Sequence, residues 1–144
     1  MQETQNYQNH TRWLAPFHFF LSPLLLVSLI YFTVRLVQEP TWDHGMFVLL
    51  LIGIITIAFL ARTQALTVQN RVIRLEERLR YKDVLSADLA ERALKLKIGQ
   101  MIGLRFASDE ELPDLVERTL NGEFENTKDI KMAVKNWRGD HLRA

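Results

Sequence analysis

Apolar and polar positions fall into long blocks along this chain. Trp13–Val34 and Gly45–Ala61 are almost wholly apolar and hold no Lys, Arg, Asp or Glu. After Arg62 the polar share rises sharply, yet no Gly or Pro interrupts the run to Lys82. At ~1.5 Å per residue, the roughly 22 residues of the first block span the ~30 Å hydrocarbon layer of a bilayer. The second block is shorter. Arg35–His44 between them is brief and contains Pro40, so the two blocks are predicted to be antiparallel neighbours. The pattern predicts an all-α integral membrane protein. A helical hairpin occupies residues 1–61, with transmembrane helices at about 13–34 and 45–61. The second crossing continues into a cytoplasmic amphipathic helix, and a small helical domain completes residues 62–144. Gly45–Lys82 is expected to be one helix.

Within the first block, Pro16 suits a first helical turn, where no hydrogen bond is lost. Pro23 is interior and is expected to kink the helix and free a carbonyl near Phe19. Gly53, opposite Ser22 and Ser28, is the expected close-packing point of the hairpin. Along the rod, Val68, Val72, Leu75 and Leu79 recur at 4-3-4 spacing, as the inner positions of a coiled coil do. Arg71, Arg74, Arg78 and Lys82 are read as flanking that stripe, with Leu66, Ile73 and Glu77 on another side. The stripe is open to three readings: the packed side of a solvated helix, a self-pairing seam, or a surface whose basic flank meets anionic headgroups or an acidic partner.

Ser86 with Asp88 marks a helix start, and the apolar residues from Leu89 to Leu104 predict one helix ending at Phe106–Ala107. Ser108 and Glu111 match a capping box, and the alternative is a helix that starts at Pro113 with Asp114 in its first turn. Leu112, Leu115, Val116 and Leu120 form that helix's buried face, and Asn121-Gly122 stops it. Asp109, Glu110, Glu111 and Asp114 gather at its N-terminus, where the helix dipole accounts for them without a metal. Asn126 and Asp129 are placed to cap a last helix with Ile130, Val134 and Trp137 along one edge.

Charge sets the expected orientation. Arg12 and Arg35 are the only Lys or Arg residues before Arg62, whereas Arg62–Lys82 holds six. The bias places both termini in the cytoplasm and the loop outside. A formal net charge of +1 gives no reason to expect nucleic acid, and the absence of Cys excludes disulfides and thiolate chemistry. His18 is the only titratable side chain of the apolar blocks apart from Tyr31. A bond to Ser22, a backbone carbonyl or water explains it as readily as a proton or ligand role. Glu39, Asp43 and His44 share a loop without convincing metal spacing. Tyr7, His10 and Arg12 suit either an interfacial anchor or a docking strip. No phosphate loop, metalloprotease motif or nucleophile elbow is present, so no enzyme and no cofactor is expected.

NYQNHTR, the PFHF around His18, ARTQALTVQNRVIRLEERLR, LRFASDEELP and IKMAVKNWRGD together resemble a group of small bacterial two-transmembrane proteins known only as a domain of unknown function. The resemblance runs from about Gln5 to Arg143. Asp is usual in that group where this chain has Asn70. It implies a bacterial membrane location, read with the charge bias as the inner membrane, with two crossings and a cytoplasmic helical tail, implies no activity, and gives weight to Asn6, Tyr7, Asn9, His10, Arg12, Pro16, His18, Arg71, Arg74 and Arg78. The candidate interaction residues are Tyr7, His10, Arg12, His18, Arg71, Val72, Arg74, Leu75, Arg78 and Leu79. The expected function is an accessory or interaction protein that assembles through its cytoplasmic helices, as a homo-oligomer or in a larger membrane complex, with lipids around it. The alternative is a component of an oligomeric channel or transporter built from the hairpin.

Overall fold

The structure is a computed structural model, described here for residues 6–8 and 13–139. It is all-α. A π-helical segment, Pro16–Leu21, leads into α1 (Ser22–Gln38), and α2 covers Trp42–Val84. Four short helices follow: α3 (Ala87–Ala93), α4 (Ile98–Leu104), α5 (Leu112–Leu120) and α6 (Thr127–Ala133). The expected single helix from Gly45 to Lys82 is therefore present, slightly longer at both ends. α1 also runs past its expected end at Val34, as far as Gln38, because Arg35 pairs with Glu39 at 2.8 Å and holds the last turn. The chain divides into two compact units at Leu66–Thr67, with α2 contributing to both.

The first unit is the hairpin. Pro16–Gln38 and Trp42–Val84 are each long and apolar enough to cross a membrane, and the apolar windows of both are exposed along their length. Pro23 lacks an N–H, and the chain meets that loss by widening into the π-helical segment just before it. The Ser22 N–H bonds back to the Phe17 carbonyl, and the Ser22 hydroxyl donates to the same oxygen at 2.8 Å. The predicted irregularity thus takes the form of a π-helical turn, in which the Phe17 carbonyl accepts twice from Ser22. Between the helices, the Phe32 and Phe47 rings stack at 4.7 Å. Leu25 is the buried side chain of α1. Gly53 does not serve as a close-packing point. A Cβ there would meet nothing within 4 Å, because the facing positions of α2 fall at Val48, Leu51, Ile55 and Ala58, one side of the helix away from it. The link is tied locally: His44 Nδ1 donates to the Glu39 carbonyl at 2.8 Å while the Glu39 carboxylate holds Arg35.

The second unit is a small core built on one face of α2. Tyr81 and Leu85 meet Ala93, Leu96, Met101, Leu104, Leu112, Leu115, Val116 and Ile130. The single helix expected from Ser86 to Phe106–Ala107 is broken between Leu94 and Lys97. A straight helix would send Leu96 and Met101 to different sides. The break turns both into one core, and the Gln100 side chain starts α4 by accepting from the Lys97 N–H at 2.8 Å. Ser86 caps α3 as predicted, accepting from the Leu89 N–H. α5 begins at Leu112 with Pro113 in its first turn, so Ser108 and Glu111 do not form a capping box. The Glu111 carboxylate instead accepts from the backbone N–H groups of Lys135 and Asn136. Gly122 ends α5 with φ 80°, a conformation L side chains rarely adopt. Asn126 and Asp129 cap α6 reciprocally. That helix stops at Ala133, earlier than the Ile130–Trp137 edge required. Trp137 lies instead in an extended segment bridged to Ala107, with its ring 4.9 Å from Phe106.

Candidate interaction surface on α2

Two faces of α2 compete for the core beyond Leu66, and the sequence pattern alone does not rank them. Ile73, Glu77 and Tyr81 recur every four residues and are buried. Val68, Val72, Leu75 and Leu79 remain 58%, 47%, 61% and 54% exposed. At ~100° per residue the centres of the two faces lie about 170° apart. The short helices therefore occupy the side opposite the heptad-spaced stripe, and the stripe stays open. Of the readings offered for it, burial against this chain's own helices is the one the fold contradicts.

The buried side carries an ion cluster that fixes how α2 is held. The Arg80 guanidinium donates from Nε and Nη2 to Asp109 at 2.8 and 2.6 Å, and from Nη2 to the Ala107 carbonyl at 2.7 Å. A planar donor set of this kind orients as well as binds. Glu77 lies 3.6 Å from Arg80 Nη1, an ionic contact without a hydrogen bond. Burial pushes the Glu77 carboxyl up from 4.5 to about 6, against the opposing pull of Arg80, Arg138 and Arg105 and with a small addition from Glu76. Tyr81 is fully buried, its hydroxyl without a hydrogen-bond partner among the described residues, and burial raises its pKa strongly. Sequence reasoning missed this cluster, although Ile73, Glu77 and Tyr81 share one helical face.

The predicted site residues separate into two groups. Val72, Leu75 and Leu79 form the open stripe, with Arg71 and Arg78 exposed along one border. Arg74 is exposed too, but at ~100° per residue it lies well round the helix from the stripe. Arg78 and Lys82 also line an open groove of about 370 Å³ with Leu85, Ala90 and Leu94. His18 belongs to the hairpin unit. Its Nδ1 donates to the Leu14 carbonyl at 3.0 Å, and its ring meets Trp13 edge-on at 5.0 Å. Of the bonds anticipated for it, the backbone carbonyl is the one observed. Tyr7 sits half-buried in a turn next to the Asn6 side chain, which accepts from Gln8. His10 and Arg12 lie outside the described residues.

The carboxylates Asp109, Glu110, Glu111 and Asp114 do not converge. Asp109 holds Arg80, Glu111 holds the segment after α6, and Asp114 faces Arg118 at 3.4 Å. Among the described residues no three His, Cys, Asp or Glu side chains gather as a metal site would require.

Residues 1–144 match the family described as "Family of unknown function (DUF6526)". The chain belongs to the DUF6526 family. Neither the curated proteins nor the solved structures provide a match. The family assignment agrees with the resemblance drawn from NYQNHTR, PFHF and the α2 motif, and it brings no activity with it.

Proposed function

We propose that this DUF6526 protein is a membrane-anchored interaction protein of the bacterial inner membrane, with both termini cytoplasmic, that assembles through the open stripe of α2. One observation carries the reading. α2 uses the Ile73–Glu77–Tyr81 face to hold the small helices and leaves Val68, Val72, Leu75 and Leu79 exposed at heptad spacing. Four large aliphatic side chains in line on a rigid helix are the composition of a helix-binding surface. The partner is a helix from a protein in the same membrane. The two exposed apolar helices support the anchoring, and the six basic residues from Arg62 to Lys82 support the orientation. The chain's role in this reading is structural, with no catalytic group and no cofactor.

The test is the double substitution Val72→Asp, Leu75→Asp in the full chain. Expelled from an apolar seam, two aspartates are expected to dissolve the assembly extracted from membranes while the fold, held from the opposite face, persists. An assembly of unchanged size would refute the stripe as the contact.

A further inference from the structure

We infer that the partner of the α2 stripe is a second copy of this chain, paired in parallel and in register through Arg71–Glu76 and Arg78–Asp83 contacts between copies. The inference rests on the reading of the stripe as an assembly surface and adds the identity, direction and register of what covers it. In heptad terms Val68 and Leu75 occupy d, and Val72 and Leu79 occupy a. The same register puts Arg71 and Arg78 at g, and Glu76 and Asp83 at e. One border of the stripe is therefore basic and the other acidic. In a parallel pair, each g residue faces the e residue five positions further along the partner helix. Arg71 then meets the Glu76 position of the other copy, and Arg78 meets its Asp83 position. By symmetry each contact forms twice.

The charges also discriminate against the reversed pairing. In an antiparallel pair g faces g and e faces e, which sets Arg against Arg and acid against acid. Anchoring selects the same direction, since hairpins inserted alike in one bilayer send both α2 helices the same way. All four border residues are exposed, and no side chain of Arg71, Glu76, Arg78 or Asp83 makes a hydrogen bond or ion pair among the described residues. They contrast with Arg80, whose Nε and Nη2 the fold engages on Asp109 and Ala107. The open groove that Arg78 and Lys82 share with Glu91 runs along the basic border. Two heptads alone make a weak coiled coil. Confinement of both copies to one membrane supplies the effective concentration that a short seam needs.

The absence of Cys allows a clean test on the full chain in phospholipid vesicles. Val72→Cys places a reporter thiol at an inner position, where a parallel, in-register pair forms a disulfide across the seam when a mild oxidant is added to accept the two electrons. Two charge variants are built on it, R71E/R78E and E76R/D83R. Each alone makes all four contacts repulsive and is expected to lower disulfide yield about tenfold. Mixed together, carrying tags of different size, the two restore all four attractions. The mixed disulfide is then expected to return to the unsubstituted level, which also shows that both variants are folded. Undiminished yield in the separate variants, or failure of the mixture to recover it, overturns self-pairing. If the charge variants have no effect while Val72→Asp, Leu75→Asp still releases the chain from a larger complex, the stripe remains an interaction surface and only the second copy is refuted.

Discussion

Replacing Glu77 by Gln removes a carboxylate that folding takes out of water, and the structure supplies the size of the effect. An unfolded chain titrates Glu77 near 4.5, while the folded chain holds its proton to about 6 because burial outweighs the attraction of Arg80, Arg138 and Arg105. Below pH 4.5 both states are protonated and the group contributes nothing to pH dependence. Between 4.5 and 6 the folded state holds the proton more tightly, so stability falls as pH rises through that window. At about 1.36 kcal/mol per pH unit, the full loss above pH 6 is about 2 kcal/mol. Gln is neutral throughout and escapes the loss. It forfeits the 3.6 Å contact with Arg80, which Asp109 and the Ala107 carbonyl continue to hold, and the attractions of Arg138 and Arg105, all of which burial already outweighs in the net upward shift. Glu77→Gln is therefore expected to be more stable than the parent by about 1–2 kcal/mol at about pH 7.5, with the gap closing near pH 4.5. The assay is urea unfolding of the full chain in nanodiscs, followed by the fluorescence of Trp137 against Phe106, with Trp13 and Trp42 replaced by Phe. A variant less stable than the parent at neutral pH, or a gap that does not change on acidification to about pH 4.5, refutes the claim that desolvation dominates at Glu77.

The same assay reads three further substitutions. Tyr81→Phe deletes a buried hydroxyl that has no hydrogen-bond partner among the described residues, so the variant is expected to be unchanged or more stable by about 1 kcal/mol, and a clear loss would reveal a partner for that oxygen. Gly103→Ala builds a Cβ 2.8 Å from Ile130 Cγ2, within the α4–α6 contact, and is expected to cost about 1–3 kcal/mol of stability, read from the urea midpoint. Asp109→Asn leaves the Arg80 guanidinium without its carboxylate clamp. With Asp109 itself largely solvated, a loss of about 1 kcal/mol is expected, shrinking in high salt.

The hairpin and the long α2 helix are legible in the sequence because uncharged apolar blocks, and the absence of Gly or Pro from Ile54 to Val84, leave few alternatives. Local chemistry is equally readable where a side chain serves its own neighbourhood, as at the Asn126 cap and the Gly122 stop. Tertiary packing decides the remainder. The break at Leu94–Lys97 has no Gly or Pro to announce it and arises because Leu96 and Met101 share one core. Which face of α2 is buried is likewise undetermined by periodicity. The stripe of four aliphatic residues carries the stronger apolar signal, yet the core takes the face with Glu77 in its middle. The charge on Glu77 hides that face from a hydropathy reading, and Arg80 and Asp109 become partners only after 29 residues of chain have folded back. The missed signal is the four-residue spacing of Ile73, Glu77 and Tyr81. The carboxylates from Asp109 to Asp114 show the converse: clustered in sequence, they are drawn apart to separate partners.

If a partner in the membrane covers the exposed stripe of α2, the chain leaves that membrane as part of something heavier. Native mass spectrometry of the full chain, released gently from its own membrane, measures that directly. An assembly heavier than the 16.9 kDa chain, collapsing to 16.9 kDa when Val72 and Leu75 are both replaced by Asp, is the predicted result. A parent protein that already flies as a single 16.9 kDa chain with bound lipid would contradict it.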